Sequence, residues 1–135
     1  MGRTIAAHLA NAGVPTVLLD LGDLAPKAHR ALRTMDPAPL FAPDLDRLIA
    51  PGSLENDLAR AAEADWIIEA IIEDLPTKQA LLARLLPLWR PGTIVTTNTS
   101  GLPVHRIAEE TPAEFRRTFL GTHFFNPPRW LKLLE

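Results

Sequence analysis

With 135 residues, 47% of them hydrophobic, the chain is long enough for one packed core and leaves little room for a second domain. Lys and Arg number 14 against 16 Asp and Glu, which argues against a nucleic-acid partner because the basic excess that a phosphate backbone demands is missing. The absence of cysteine excludes disulfides and thiolate chemistry without fixing the compartment, Glu69 and Glu73 break an apolar stretch far shorter than a bilayer needs, and the N-terminus has only Arg3 and no long apolar run of a secretory signal; a soluble, cytoplasmic protein is expected by default.

In chain order, residues 3–12 set Ile5 and Leu9 four apart among alanines, and Gly13 follows where a left-handed cap would end a helix. Residues 16–20, Thr-Val-Leu-Leu-Asp, read as a short buried parallel strand ending in an acid. Between 22 and 51 the pattern weakens. Ala28, Ala31, Leu32 and Met35 suggest a helix, and Pro37, Pro39 and Pro43 prevent its continuation. Helical spacing resumes over 54–64, a second buried strand is predicted over 66–71, and a longer helix runs from Pro76 or Thr77 to about Trp89. A third strand (93–97), a polar turn (98–101), a short helix (104–110), a strand (119–125) and a last strand (131–135) complete the chain. Strands alternating with helices predict an α/β domain with a doubly wound parallel sheet.

Two places carry candidate chemistry. At the start, Gly2 heads a helix and Asp20 ends the next strand. This is half of a dinucleotide fingerprint, in which glycines let a pyrophosphate approach a helix N-terminus and an acid about 20 residues on binds ribose hydroxyls. The plainer readings are a glycine beside a start codon and a solvated strand-end carboxylate. The strand expected before this helix is missing, which would leave neighbouring strands unpaired, so Met1 is expected to be an internal methionine of a longer fold. At the other end, His123 closes an apolar strand where ligands collect in open α/β sheets, and imidazole is the side chain suited to proton exchange near neutrality. A structural hydrogen bond is the alternative for His123, and it suits His8, His29 and His105 better. Glu135 could orient the ring of His123, although a spacing of twelve residues does not establish contact.

Together these segments resemble the 3-hydroxyacyl-CoA dehydrogenase family along almost the whole chain. Residues 1–13 look like the second half of its fingerprint helix, with Gly2 as the third glycine, and Asp20 matches its ribose-binding acid. Ile68-Glu69-Ala70-Ile71-Ile72-Glu73-Asp74-Leu75-Pro76-Thr77-Lys78 is similar to the family's strand and turn, which implies that Glu73 and Lys78 lie against NAD. Asn98-Thr99-Ser100 matches the segment whose Ser contacts substrate, and Asn98 is taken with the cofactor residues. Gly121-Thr122-His123-Phe124-Phe125-Asn126-Pro127-Pro128 matches the catalytic His segment, with Asn126 near the nicotinamide ribose and Glu135 in the place of the His partner.

The resemblance implies a Rossmann-like partial NAD-binding domain over 1–135, lacking the first strand and a helical C-terminal domain. The implied reaction is NAD-dependent oxidation of a 3-hydroxyacyl-CoA to the 3-ketoacyl-CoA, as in fatty acid β-oxidation. His123, Glu135 and Ser100 would be the catalytic group, the acyl-CoA the partner molecule, and the parent a homodimer or part of a multifunctional enzyme. No metal ligand set is read. Residues 21–50 look shorter and richer in proline than the family's usual helical excursion, so no CoA-binding residue is assigned there. The competing reading is a non-catalytic nucleotide-binding or structural remnant of the same fold, and the isolated chain is expected to be inactive alone. A 3-hydroxyacid or sugar-nucleotide dehydrogenase is disfavoured, because those use Lys or Cys where this chain offers His123.

Overall fold

A short helix packed through alanines opens the chain. The structure, a computed structural model, describes residues 1–135 and divides into two compact units, Met1–Leu58 with Phe124–Leu133 and Ala59–His123 with Leu134–Glu135.

In the first unit, α1 (Gly2–Asn11) is buried over most of its circumference, at Thr4, Ile5, Ala6, Ala7 and Ala10. Small side chains let this helix lie close to its neighbours, and the resulting core joins Ala6, Ala7 and Ala10 to Leu32, Leu40 and Ile49. Gly13 adopts φ 78°, the left-handed turn that glycine allows without steric cost. The chain then enters β1 (Thr16–Asp20), and α2 (Leu24–Ala31) follows. A 3₁₀ segment, Pro43–Leu48, leads into β2 (Ile49–Ser53), which pairs in parallel with β1 from Thr16 opposite Ile49 to Asp20 opposite Ser53. Neither the 3₁₀ segment nor β2 is predicted from the sequence. Pro51 and Gly52 mimic a turn signal, and proline is tolerated here because β2 has a strand neighbour on one side only. Asn11 fastens the loop before the 3₁₀ segment, its Nδ2 donating to the Pro39 carbonyl at 2.8 Å and its Oδ1 accepting from Phe41 N–H at 2.7 Å.

The second unit is a three-stranded parallel sheet in the order β3 (Trp66–Glu69), β4 (Ile94–Thr97), β5 (Phe119–Gly121). Trp66 lies opposite Ile94 and Val95 opposite Phe119. On one face Val95 and Thr97 are fully buried, as are Leu82 of α3 (Leu75–Leu85) and Phe115 of α5 (Ala113–Arg116). Phe115 meets Trp89 edge-on at 5.5 Å and stacks on Phe119 at 5.8 Å. The other short helix, α4, spans Val104–Ile107. Asp74 starts α3 by accepting from the Thr77 N–H at 3.0 Å, a polar side chain serving as helix cap.

All strand pairings are parallel, as expected, but they form two separate sheets rather than one. The sequence predicts β1 and β3 as buried strands, yet Val17 and Trp66 are exposed, because a strand side chain is buried only where another layer covers its face of the sheet. Helical spacing over 54–64 yields only a 3₁₀ segment, Leu58–Glu63. The last predicted strand, 131–135, does not form; in its place is a backbone exchange in which His123 N–H donates to Glu135 C=O at 2.7 Å and Glu135 N–H to His123 C=O at 3.2 Å. No helix is long and apolar enough to cross a membrane.

Candidate active site

Parallel strands bring their carboxyl ends to one edge, where open α/β sheets bind ligands. In the second unit β3 delivers Glu69 there and continues to Glu73 and α3, β4 delivers the turn at 98–101, and β5 delivers Thr122 and His123. The sheet's hydrogen bonding runs past the strand ends, with Asn98 N–H donating to Glu69 C=O at 2.8 Å and Thr122 N–H to Thr97 C=O at 2.9 Å. Ser100 and His123 therefore both sit on segments anchored by the same sheet edge.

The His123 side chain is 28% exposed, and its Nδ1 lies 3.6 Å from Oε2 of Glu135. That separation is beyond hydrogen-bonding distance and becomes an ion pair when the ring takes a proton. The backbone exchange between the two residues fixes the neighbourhood of ring and carboxylate, so proximity does not depend on the side chains alone. An imidazole with one nitrogen toward a carboxylate is stabilised when it takes a proton on the other.

Glu73 gathers three donors from the turn at 98–101 onto one carboxylate oxygen. Its Oε1 accepts from the Thr99 hydroxyl at 2.5 Å, the Ser100 N–H at 2.9 Å and the Gly101 N–H at 3.0 Å. Partial burial raises its pKa, but the hydrogen bonds from Thr99, Gly101, Ser100 and Lys78 outweigh that and bring it down to about 2. The Ser100 hydroxyl takes no partner within the chain and is exposed, while its backbone is held. Lys78 has 1% exposure and its ammonium contacts both oxygens of Glu69 at 2.8 and 2.9 Å. The expectation of a direct contact with NAD thus meets an amine enclosed by protein.

In the first unit, Asp20 ends β1 with Oδ1 accepting from Leu21 N–H at 2.8 Å and its other oxygen without a partner in the chain. Gly2 begins α1, whose amino end has no side-chain cap, so N–H groups at the helix start are open to an anion. Asn126 is exposed on the segment after His123.

The chain matches the family described as 3-hydroxyacyl-CoA dehydrogenase, NAD binding domain, over residues 1–135. It belongs to that family. A Bacillus subtilis protein named "Probable 3-hydroxyacyl-CoA dehydrogenase" is 41% identical across the whole chain, and a protein of the same name from Deinococcus radiodurans is 43% identical across the whole chain. The chain spans 20% and 41% of these two relatives' lengths. The alignment with the Bacillus protein runs over 157 positions against 135 residues here, so that relative carries residues this chain does not have. Other relatives are named as subunits of the fatty acid oxidation complex. The crystal structure of 3-hydroxybutyryl-CoA dehydrogenase from Escherichia coli K12 superposes with a TM-score of 0.83 at 32% identity, covering 99% of this chain and 29% of that one.

Within this 3-hydroxyacyl-CoA dehydrogenase NAD-binding domain, the structure adds three residues to those singled out from the sequence: Glu69, Thr97 and Thr99. Glu69 has a visible signal, since a carboxylate inside an apolar strand needs a partner and a lysine stands nine residues on. The threonines have none, because a hydroxyl is ordinary both in a strand, as at Thr97, and in a polar turn, as at Thr99.

Proposed function

We propose that the protein to which this domain belongs oxidises 3-hydroxyacyl-CoA esters to 3-ketoacyl-CoA esters with NAD, with His123 as the proton acceptor. The observation that carries this reading is the His123 imidazole at the carboxyl edge of a parallel sheet, with its Nδ1 toward the Glu135 carboxylate at 3.6 Å. Oxidising a secondary alcohol takes a hydride from carbon and a proton from oxygen. NAD, when bound, supplies the hydride acceptor. The proton goes to the His123 nitrogen that faces away from Glu135, and the carboxylate offsets the charge left on the ring. The free hydroxyl of Ser100 hydrogen-bonds the reacting oxygen.

The residues present suit a dinucleotide. The uncapped start of α1 at Gly2 offers N–H groups to a pyrophosphate, and the unpartnered oxygen of Asp20 suits a ribose hydroxyl. In the second unit Asn98 and Glu73 are assigned to NAD, and Lys78 acts through Glu73, since its own ammonium is enclosed; Asn126, in the first unit, is assigned to the nicotinamide ribose by the family resemblance alone. A Rickettsia felis relative named "Putative fatty acid oxidation complex trifunctional enzyme" supports a parent that is a multifunctional enzyme, with a homodimer as the other arrangement.

The test is a chimera in which residues 1–135 replace the matching segment of the Deinococcus relative. With 3-hydroxybutyryl-CoA and NAD it is expected to form NADH, and Asp20→Ala is expected to weaken NAD about tenfold or more through the lost ribose contacts. A folded chimera that binds NAD yet never forms NADH would sink the proposal.

A further inference from the structure

Glu69 and Lys78 form an ion pair whose members are 0% and 1% exposed, and the chemistry proposed above uses neither charge directly. Taking both from water is offset only by close geometry and by hydrogen bonds to every remaining atom. Glu69 has them: Thr97 Oγ1 donates to Oε2 at 2.5 Å and Ile71 N–H to Oε1 at 2.7 Å, beside the two contacts from Lys78. The ammonium then extends toward the sheet edge, reaching Oε2 of Glu73 at 3.3 Å and the Ile71 carbonyl at 3.5 Å.

Glu73 divides its two oxygens. Oε2 faces the ammonium, and Oε1 gathers three donors from one turn, the Thr99 hydroxyl and the N–H groups of Ser100 and Gly101. Thr99 closes the turn by accepting from Leu102 N–H at 3.0 Å. Three donors converging on one oxygen crowd partial positive charge there, so the arrangement calls for a full negative charge at that point. The buried pair between β3 and α3 would be inert packing if it stopped at itself; its reach to Glu73 makes it a support for a surface turn.

We propose that Glu73, held by the buried Glu69–Lys78 pair, is a positioning residue that sets the conformation of the turn carrying Ser100. This rests on the proposed function only in assigning Ser100 to the reacting oxygen. The contact chain from Thr97 through Glu69, Lys78 and Glu73 to the Ser100 backbone stands without it.

The experiment is backbone amide hydrogen exchange by NMR on the 135-residue chain. In Glu73→Ala, the Ser100 and Gly101 amides are expected to exchange about tenfold faster or more, while Val95 and Asn98 stay within about twofold of the parent. Glu73→Gln, which keeps an oxygen and loses the charge, falls between. The neutral replacement Glu69→Gln with Lys78→Met is expected to loosen the same two amides several-fold. Parent-like exchange at Ser100 and Gly101 in Glu73→Ala, or in the folded double variant, overturns the proposal, and so does an increase spread evenly through β4. Should the double variant not fold, ¹³C titration of the Glu73 carboxyl in the parent decides: a midpoint at about 2 upholds the clamp, and one in the ordinary range near ~4.3 overturns it. None of these readouts uses cofactor or substrate, so their result is separate from the success or failure of the dehydrogenase reading.

Discussion

Lys78→Met removes the cation from a carboxylate that has no exposure of its own. Breaking a fully buried pair by deleting one partner costs about 3–5 kcal/mol, because the remaining charge is left in a poor solvent. Glu69 keeps two donors, the Thr97 hydroxyl and the Ile71 N–H, which places the expected loss at the lower end, about 3 kcal/mol or roughly 10 °C in Tm. Adding Glu69→Gln removes the stranded charge and keeps an acceptor for Thr97, so the double variant should lose only about 1 kcal/mol. The assay is urea unfolding of the parent, both single variants and the double, followed by the fluorescence of Trp66 and Trp89 in the second unit. A loss under about 1 kcal/mol for Lys78→Met, or single-variant losses that add up in the double, would refute the reasoning.

Acidification gives a second expectation. The folded Glu73 carboxyl is depressed from 4.5 to about 2, so its stabilising contribution is complete above 4.5 and is lost as pH falls from there toward 2. With the side chain 41% exposed, solvent screening limits this to on the order of 1 kcal/mol, and Glu73→Ala should flatten that part of the stability curve. Asp74→Ala removes the cap of α3 and should lower the midpoint of denaturant unfolding. Phe115→Ala empties a site of 0% exposure between Trp89 and Phe119 and should cost about 3–5 kcal/mol by the same measurement, with a change in Trp89 fluorescence.

Local patterns locate the elements that local forces decide. The run at 16–20 is β1 residue for residue, and Gly13 takes the positive φ that a helix stop requires. Where a neighbouring segment decides, the sequence is mute. β2 forms through Pro51 and Gly52 because β1 offers a parallel edge, and Gly52 lies so near Asp57 that an added Cβ would sit 2.8 Å from its carboxylate. The Asp57 carboxylate accepts from Ser53 N–H at 2.7 Å, a local turn that competes with the helix expected over 54–64. The site divides in the same way. A histidine at the end of an apolar strand is legible as a candidate base, but its approach to Glu135 depends on how the chain's last residues return to the strand end, and only the family resemblance implies that. Lys78 reads as a ligand contact in one dimension; in three, its charge is taken up by Glu69 and Glu73.

The central claim is that the imidazole at position 123 accepts the substrate's proton. The most direct measurement is turnover of His123→Gln in the Deinococcus chimera under saturating NAD and 3-hydroxybutyryl-CoA, alongside NAD affinity. Loss of the base should lower kcat by on the order of 10²–10⁴-fold with NAD affinity unchanged. Turnover equal to that of the parent chimera would contradict the account.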